Sequence, residues 1–189
     1  MKKLILVHGW GGGPEGGWFD WLKENLDKKE WEVIAPQMPD TENPKIDAWI
    51  SKLQEVAGDV DKNTYFIGGS IGCQAIMRYL EKLTKSKKVG GVIFVAGWFN
   101  LKETAYEEEE EKEIGRPWIE TPIDFDKIKR HTDKFIGIFS DDAPCVPIAD
   151  KKLFEERLGA KTIILKNRGH FDNTVEFPEL LNKLLEISK

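Results

Sequence analysis

Six short runs of β-branched, aliphatic and aromatic residues, separated by longer stretches with helical periodicity, leave this sequence few folds to choose from. The runs fall at 4–7, 32–35, 64–67, 92–96, 135–139 and 162–165, each bounded by Gly, Pro or Asp. Several are apolar at consecutive positions, which suits strands covered on both faces rather than on one. Helical patterns lie between them at 18–26, 46–56, 71–83, 148–158 and 178–187. In the third, Ile71, Ala75, Tyr79 and Leu83 recur every four residues, with Ile76 and Leu80 widening the stripe. Asp150 and Glu179 fall in first turns, where the helix dipole favours negative charge. Such alternation predicts an α/β three-layer sandwich with a central parallel sheet. Right-handed crossovers and a switch point beside the first strand give the strand order 2-1-3-4-5-6.

A length of 189 residues fits one domain, 1–189, able to bury its core without disulfide or metal staples. Two cysteines, Cys73 and Cys145, make no disulfide framework. The 28 Lys+Arg against 33 Asp+Glu leave a net charge of −5, which disfavours nucleic-acid partners, since their affinity rests on neutralising phosphates. No apolar run is long enough for a membrane span, and residues 4–7 lead straight into His8-Gly9-Trp10 without a cleavage pattern, so the chain reads as cytoplasmic. One stretch departs from the alternation. Residues 98–133 read as loop-rich, a lid over a site at the strand ends, with the acidic run 107–111 as a solvated face.

The most specific motif is Gly68-Gly69-Ser70-Ile71-Gly72, a G-x-S-x-G placed directly after the third strand and before the third helix. That strand–turn–helix context is what a nucleophile elbow requires. The turn lifts Ser70 Oγ above the sheet, and the Ile71 amide at the helix N-terminus can stabilise an oxyanion. A serine hydroxyl needs a base to take its proton. Of three histidines, His8 ends the first strand, and His131 lies in a Lys/Arg-rich helical stretch read as exposed. His170 follows the last strand, which gives the chain order serine, acid, histidine of α/β-hydrolases. His170 is therefore the expected base. His8-Gly9-Trp10-Gly11-Gly12-Gly13 leaves the first strand, and its glycines let a backbone amide, that of Trp10, supply the other half of the oxyanion hole. A phosphate cradle is the competing reading of this loop, but no Gly-Lys-Ser/Thr follows and the spacing is not G-x-G-x-x-G.

Taken together, the Gly-rich loop with Gly16-Gly17-Trp18 behind it, Met38-Pro39-Asp40, Met77-Arg78-Tyr79, Arg116-Pro117-Trp118, Ser140-Asp141-Asp142 and Gly169-His170-Phe171-Asp172-Asn173 resemble the small retinoblastoma-binding-protein-9-like serine hydrolases over nearly the whole chain. The resemblance implies an α/β-hydrolase fold and a hydrolytic Ser–His pair. It also exposes two departures. Families of this kind carry histidine before the nucleophile, where this chain has Gly69, and an acid in Asp-x-x-Val-Pro, where it has Ala143 ahead of Val146-Pro147. Asp142, or Asp141, is the candidate for a displaced acid; both also suit loop capping through Asx-turns. Cys145 is either a small packed residue or a repurposed nucleophile or ligand facing His170.

Trp10, Trp98, Phe99 and Trp118 are expected on loops at the strand ends, lining an apolar pocket with Gly69, Ala143 and Cys145. The leading function is hydrolysis of a small-molecule acyl substrate (ester, thioester or amide) by Ser70 and His170, with Asp142 as acid and no cofactor or metal. The alternative is a catalytically inactive hydrolase fold that binds a protein partner.

Overall fold

The computed structural model describes residues 1–106 and 108–189, so that Glu107 of the acidic run lies outside the described residues. Among the described residues the strands are β1 (Lys2–Val7), β2 (Trp31–Ile34), β3 (Thr64–Gly69), β4 (Gly91–Val95), β5 (Phe135–Ser140) and β6 (Lys161–Leu165). They form one parallel sheet in the order β2-β1-β3-β4-β5-β6, as the alternation predicts. The helices are α1 (Gly17–Asn25), α2 (Ile46–Ala57), α3 (Ile71–Lys82), α4 (Glu109–Glu120), α5 (Phe125–Lys129), α6 (Asp150–Leu158) and α7 (Pro178–Ile187).

The pleat divides each of the four inner strands between two cores, while the edge strands β2 and β6 pack against the second only. Ile5, Val7, Phe66, Val92 and Phe94 face a core built with α2, α3 and α6, which contribute Trp49, Leu53, Ile76, Leu80 and Phe154. Their neighbours Leu4, Leu6, Tyr65, Ile67, Ile93 and Val95 face a second core, with Trp18, Phe19 and Leu22 of α1 and Leu180, Leu184 and Ile187 of α7. A strand buried on both faces has no reason to alternate apolar with polar, which is why these runs read as continuous.

The 98–133 segment is more regular than its sequence suggests. It holds a short 3-10 turn at Glu103–Ala105 and then α4 and α5. The acidic residues are the first turn of α4: Glu108 and Glu111 form a capping box, and Glu109–Glu111 lie where the helix dipole favours carboxylates. Buried Arg78 of α3 holds the far end, its Nη2 donating to Trp118 O and Thr121 O, both at 2.9 Å. Two motifs that the sequence offers separately, Met77-Arg78-Tyr79 and Arg116-Pro117-Trp118, are thus one structural unit. His131 corrects an expectation: it is buried after α5, its Nδ1 2.8 Å from Lys87 O, because the segments leading into β4 and β5 run together there, with Val89 N donating to His131 O at 2.9 Å.

Candidate active site

Parallel register sets Val7 beside Gly68, so His8-Gly9-Trp10 leaves β1 next to Gly69-Ser70 leaving β3. This is the switch point of the strand order, where open α/β sheets bind ligands. Ser70 joins strand to helix at φ 51° and ψ −120°. That conformation costs a non-glycine residue about 1–3 kcal/mol and persists only where its surroundings enforce it. The enforcement is visible. A Cβ on Gly68 would stand 2.7 Å from Cys73 N, and one on Gly72 would stand 2.7 Å from His8 O and closer still to Val7 O. Only glycines let β1, β3 and α3 meet here. Ser70 N donates to Val95 O (2.9 Å) and Cys73 N donates to Ser70 O (3.0 Å), tying the turn on both sides. Among the described residues the amides of Ile71 and Trp10 have no acceptor, so both donors are available to a ligand.

His8 fixes the glycine loop. Its Nε2 accepts from Met38 N at 3.0 Å, so the proton of the neutral ring is on Nδ1, which donates to Gly9 O at 2.8 Å. Burial holds its pKa below the usual 6.5 and keeps the ring in that neutral form.

Ser70 and His170 line the same cleft, which has two hollows sharing Gly9, Trp10, Ser70, His170 and Asp172. One, of about 370 Å³, is walled by Trp18, Phe19, Phe171, Gly12 and Gly69; the other, of about 440 Å³, by Trp98, Leu101, Ala105, Glu42, Glu111 and Cys145. Gly69 leaves room that Trp18 fills: Cζ2 of its indole stands 3.4 Å from where a Cβ would be. Ser70 Oγ accepts from Trp98 Nε1 at 3.3 Å and makes no hydrogen bond to His170 among the described residues. Burial lowers the His170 pKa below 6.5, and the Asp172 carboxylate offsets part of that. Its Nδ1 is buried and has no hydrogen-bond partner among the described residues.

The two aspartates beside the acid position serve another end. Ser140 pairs with Leu165, so the loops leaving β5 and β6 run together. Asp141 Oδ1 accepts from Asn167 N (2.9 Å), and Ser140 Oγ accepts from Arg168 N (2.9 Å). Asp142 Oδ1 accepts from Gly169 N (2.8 Å) and from Ser140 Oγ (2.5 Å), which together hold its carboxyl below the usual carboxylate range. Three residues of one loop thereby grip the backbone of the other, and among the described residues no carboxylate hydrogen-bonds the His170 ring. Ala143 is buried, with its carbonyl accepting from Lys102 Nζ at 2.7 Å. At Cys145, burial and the Asp172 charge push the thiol up, away from the thiolate that a nucleophile needs.

Three expected lining residues lie elsewhere: Ala143 borders neither hollow of the Ser70 cleft, and nor do Phe99 and Trp118. Phe99 and Trp118 border a separate hollow of about 180 Å³ with Gln74, Arg78, Phe125 and Arg157. Trp118 sits inside α4, not on a loop, and its Nε1 donates to Pro44 O at 3.0 Å. Phe99 meets Phe125 edge-on and Phe154 at a tilt, with the Arg157 guanidinium over its ring. Conversely, the sequence offers no hint that Asp150 would be buried and would hold the loop carrying Trp98; its place in a first turn of helix gives a capping role instead.

Six parallel strands in this order, with a strained serine between the third strand and its helix, define an α/β-hydrolase. The chain belongs to the serine hydrolase family, whose sequence model matches residues 4–185. It is similar to serine hydrolase RBBP9 of Rattus norvegicus, 31% identical over 182 residues, or 95% of this chain and 91% of that protein. The hydrolase-named YdeN of Bacillus subtilis (strain 168) is 28% identical over 170 residues, 90% of this chain and 86% of YdeN. The crystal structure of the ydeN gene product superposes with a TM-score of 0.87 at 24% identity, covering 99% of this chain and 98% of that one. The family expected from the motifs is therefore the one the chain belongs to, and the protein is a hydrolase. No helix among the described residues is long and apolar enough to cross a membrane.

Proposed function

We propose that the protein hydrolyses small esters, thioesters or amides through an acyl-enzyme on Ser70. The observation that carries this reading is the strained Ser70, set between two unpaired amides and sharing its cleft with His170. Ser70 Oγ attacks the substrate carbonyl carbon while its proton passes to His170 Nε2. The carbonyl π pair moves onto oxygen, where the Ile71 and Trp10 amides hold it. Collapse expels the leaving group, which takes the proton from His170. Water then repeats the sequence on the acyl-enzyme, releasing the acid and restoring Ser70. Ser140, Asp141 and Asp142 hold the loop bearing His170. With Ala143 where the resembled family has its acid, no carboxylate among the described residues fixes the His170 tautomer, and turnover is slow. The chemistry asks for no cofactor, and a cytoplasmic small-molecule substrate fits it.

The test is labelling by a serine-directed fluorophosphonate. A single adduct mapped to Ser70 by mass spectrometry, absent in Ser70→Ala, is the expected result. One observation favours a second reading, a catalytically inactive fold that binds a protein partner: the unpartnered His170 Nδ1. Folded protein that stays unlabelled would select it.

A further inference from the structure

Trp98 is almost fully buried, and among the described residues its indole N–H has one hydrogen-bond partner, Ser70 Oγ. An indole nitrogen only donates, so this contact occupies a lone pair of the serine oxygen and leaves the O–H to point elsewhere. The ring is held by its neighbours. Gln74 Nε2, one helical turn beyond Ser70, donates to Trp98 O at 2.8 Å. The next two amides, Phe99 N and Asn100 N, donate to Asp150 Oδ2 at 2.5 and 2.7 Å, and Asn100 Nδ2 donates to Asp150 Oδ1 at 2.7 Å. A carboxylate as buried as Asp150 is costly unless fully hydrogen-bonded. Three donors from one short loop satisfy it, and what that loop presents to the cleft is Trp98.

We infer that the Trp98 N–H activates and orients the Ser70 hydroxyl, and that Asp150 is the positioning residue that holds Trp98 there. This rests on the reading of Ser70 as nucleophile and deepens it. In a complete triad the carboxylate strengthens the base. Here the His170 Nδ1 has no such partner, and the assistance comes to the other end of the proton transfer. As the Oγ–H bond breaks toward His170 Nε2 and the Oγ–C bond forms, negative charge on Oγ is met by a fixed N–H dipole. The indole proton stays on Nε1 throughout. Once Oγ is an ester oxygen it is a poorer acceptor, so the effect falls on serine attack rather than on substrate binding.

Trp98→Phe keeps a ring and removes the N–H. The second-order rate of fluorophosphonate labelling, and kcat for p-nitrophenyl acetate, should each fall on the order of tenfold, as for one lost transition-state hydrogen bond, with KM within about twofold. Asp150→Asn should lower kcat as well, and should add nothing in the Trp98→Phe background, because it acts through Trp98. Circular-dichroism melting establishes that each variant is folded. If Trp98→Phe is not, benzothienylalanine at 98, an indole isostere without the N–H, replaces it in the same assay. Labelling at the wild-type rate without the N–H overturns the role of Trp98. Additive losses overturn that of Asp150. Wild-type protein unlabelled at Ser70 removes the nucleophile reading itself, an outcome distinct from either.

Discussion

Asp142 Oδ1 accepts the Gly169 amide proton at 2.8 Å, one residue before His170, yet the imidazole remains unpaired at Nδ1. A carboxylate that grips the loop and one that grips the ring make different demands on chemistry. For the loop, an amide oxygen serves nearly as well as a carboxylate; for a triad it does not, and the Asp→Asn exchange costs about 10⁴ in turnover. Asp142→Asn should therefore keep esterase activity within about tenfold of wild type, whereas Asp142→Ala, which strands Gly169 N and Ser140 Oγ, should lose more. Equal and near-complete loss in both variants would make Asp142 the acid.

The lowered Asp142 pKa has a consequence for stability. The folded state binds this proton less readily than the unfolded state, so its contribution is present above the ordinary carboxylate range. It is lost as pH falls through the lowered folded value. Urea melts from pH 7 to pH 3 should show a shallower decline for Asp142→Asn than for wild type.

Ala143→Asp returns a carboxylate to the position that the resembled family uses. Expected is a rise in kcat of about two or more orders of magnitude, with KM little changed, since the acid acts on charge developing in the transition state. The same substitution should raise the His170 pKa, because a nearby carboxylate favours imidazolium. Steady-state kinetics and an imidazole NMR titration check the two parts separately.

Burial disfavours the charged form of His170 more than Asp172 favours it, so the ring stays neutral, and able to accept a proton, below pH 6.5. The acid limb of kcat/KM should have its midpoint under that value. Removing the carboxylate that raises it, by Asp172→Asn, should move the midpoint lower still. A limb above pH 6.5 in wild type would contradict the assignment of His170 as base.

Arg78→Ala would leave two carbonyls of the α4 C-terminus without donors, one buried and one partly so. Each such loss costs about 1–3 kcal/mol. Thermal unfolding should drop by roughly 5–15 °C in a chain of this size. Because Phe99 and Trp118 border the Arg78 hollow and not the Ser70 cleft, the kcat of the folded variant should change little.

Strand positions are legible because consecutive apolar residues such as Ile5 and Leu6, or Ile93 and Phe94, can only belong to strands with cover on both faces. The strand ends are less so: β1 begins at Lys2 and β6 at Lys161, polar residues that join the ladder outside the apolar runs. The elbow is legible because glycine at 68 and 72 and serine at 70 answer steric demands that can be worked out without coordinates. α4 is not, because an acidic run and an internal Pro117 look like loop chemistry until Arg78, distant in sequence, is seen holding its far end. Trp118 and Phe99 mislead for the same reason. A large aromatic near a strand end can face a ligand or a core, and only tertiary packing decides between them.

The hollow beside Trp18, Phe19 and Phe171 is floored by residues of the core shared with α1 and α7, whereas the hollow beside Trp98 rests on the core shared with α2, α3 and α6. The sheet thus acts as a party wall between two rooms that meet along Gly9, Trp10, Ser70, His170 and Asp172. Substitutions at the unshared walls, such as Phe19 in one room and Leu101 in the other, fall in separate cores, so their effects should add rather than interfere. A lineage built on this frame can retune recognition of one half of its substrate, generation by generation, without renegotiating the other.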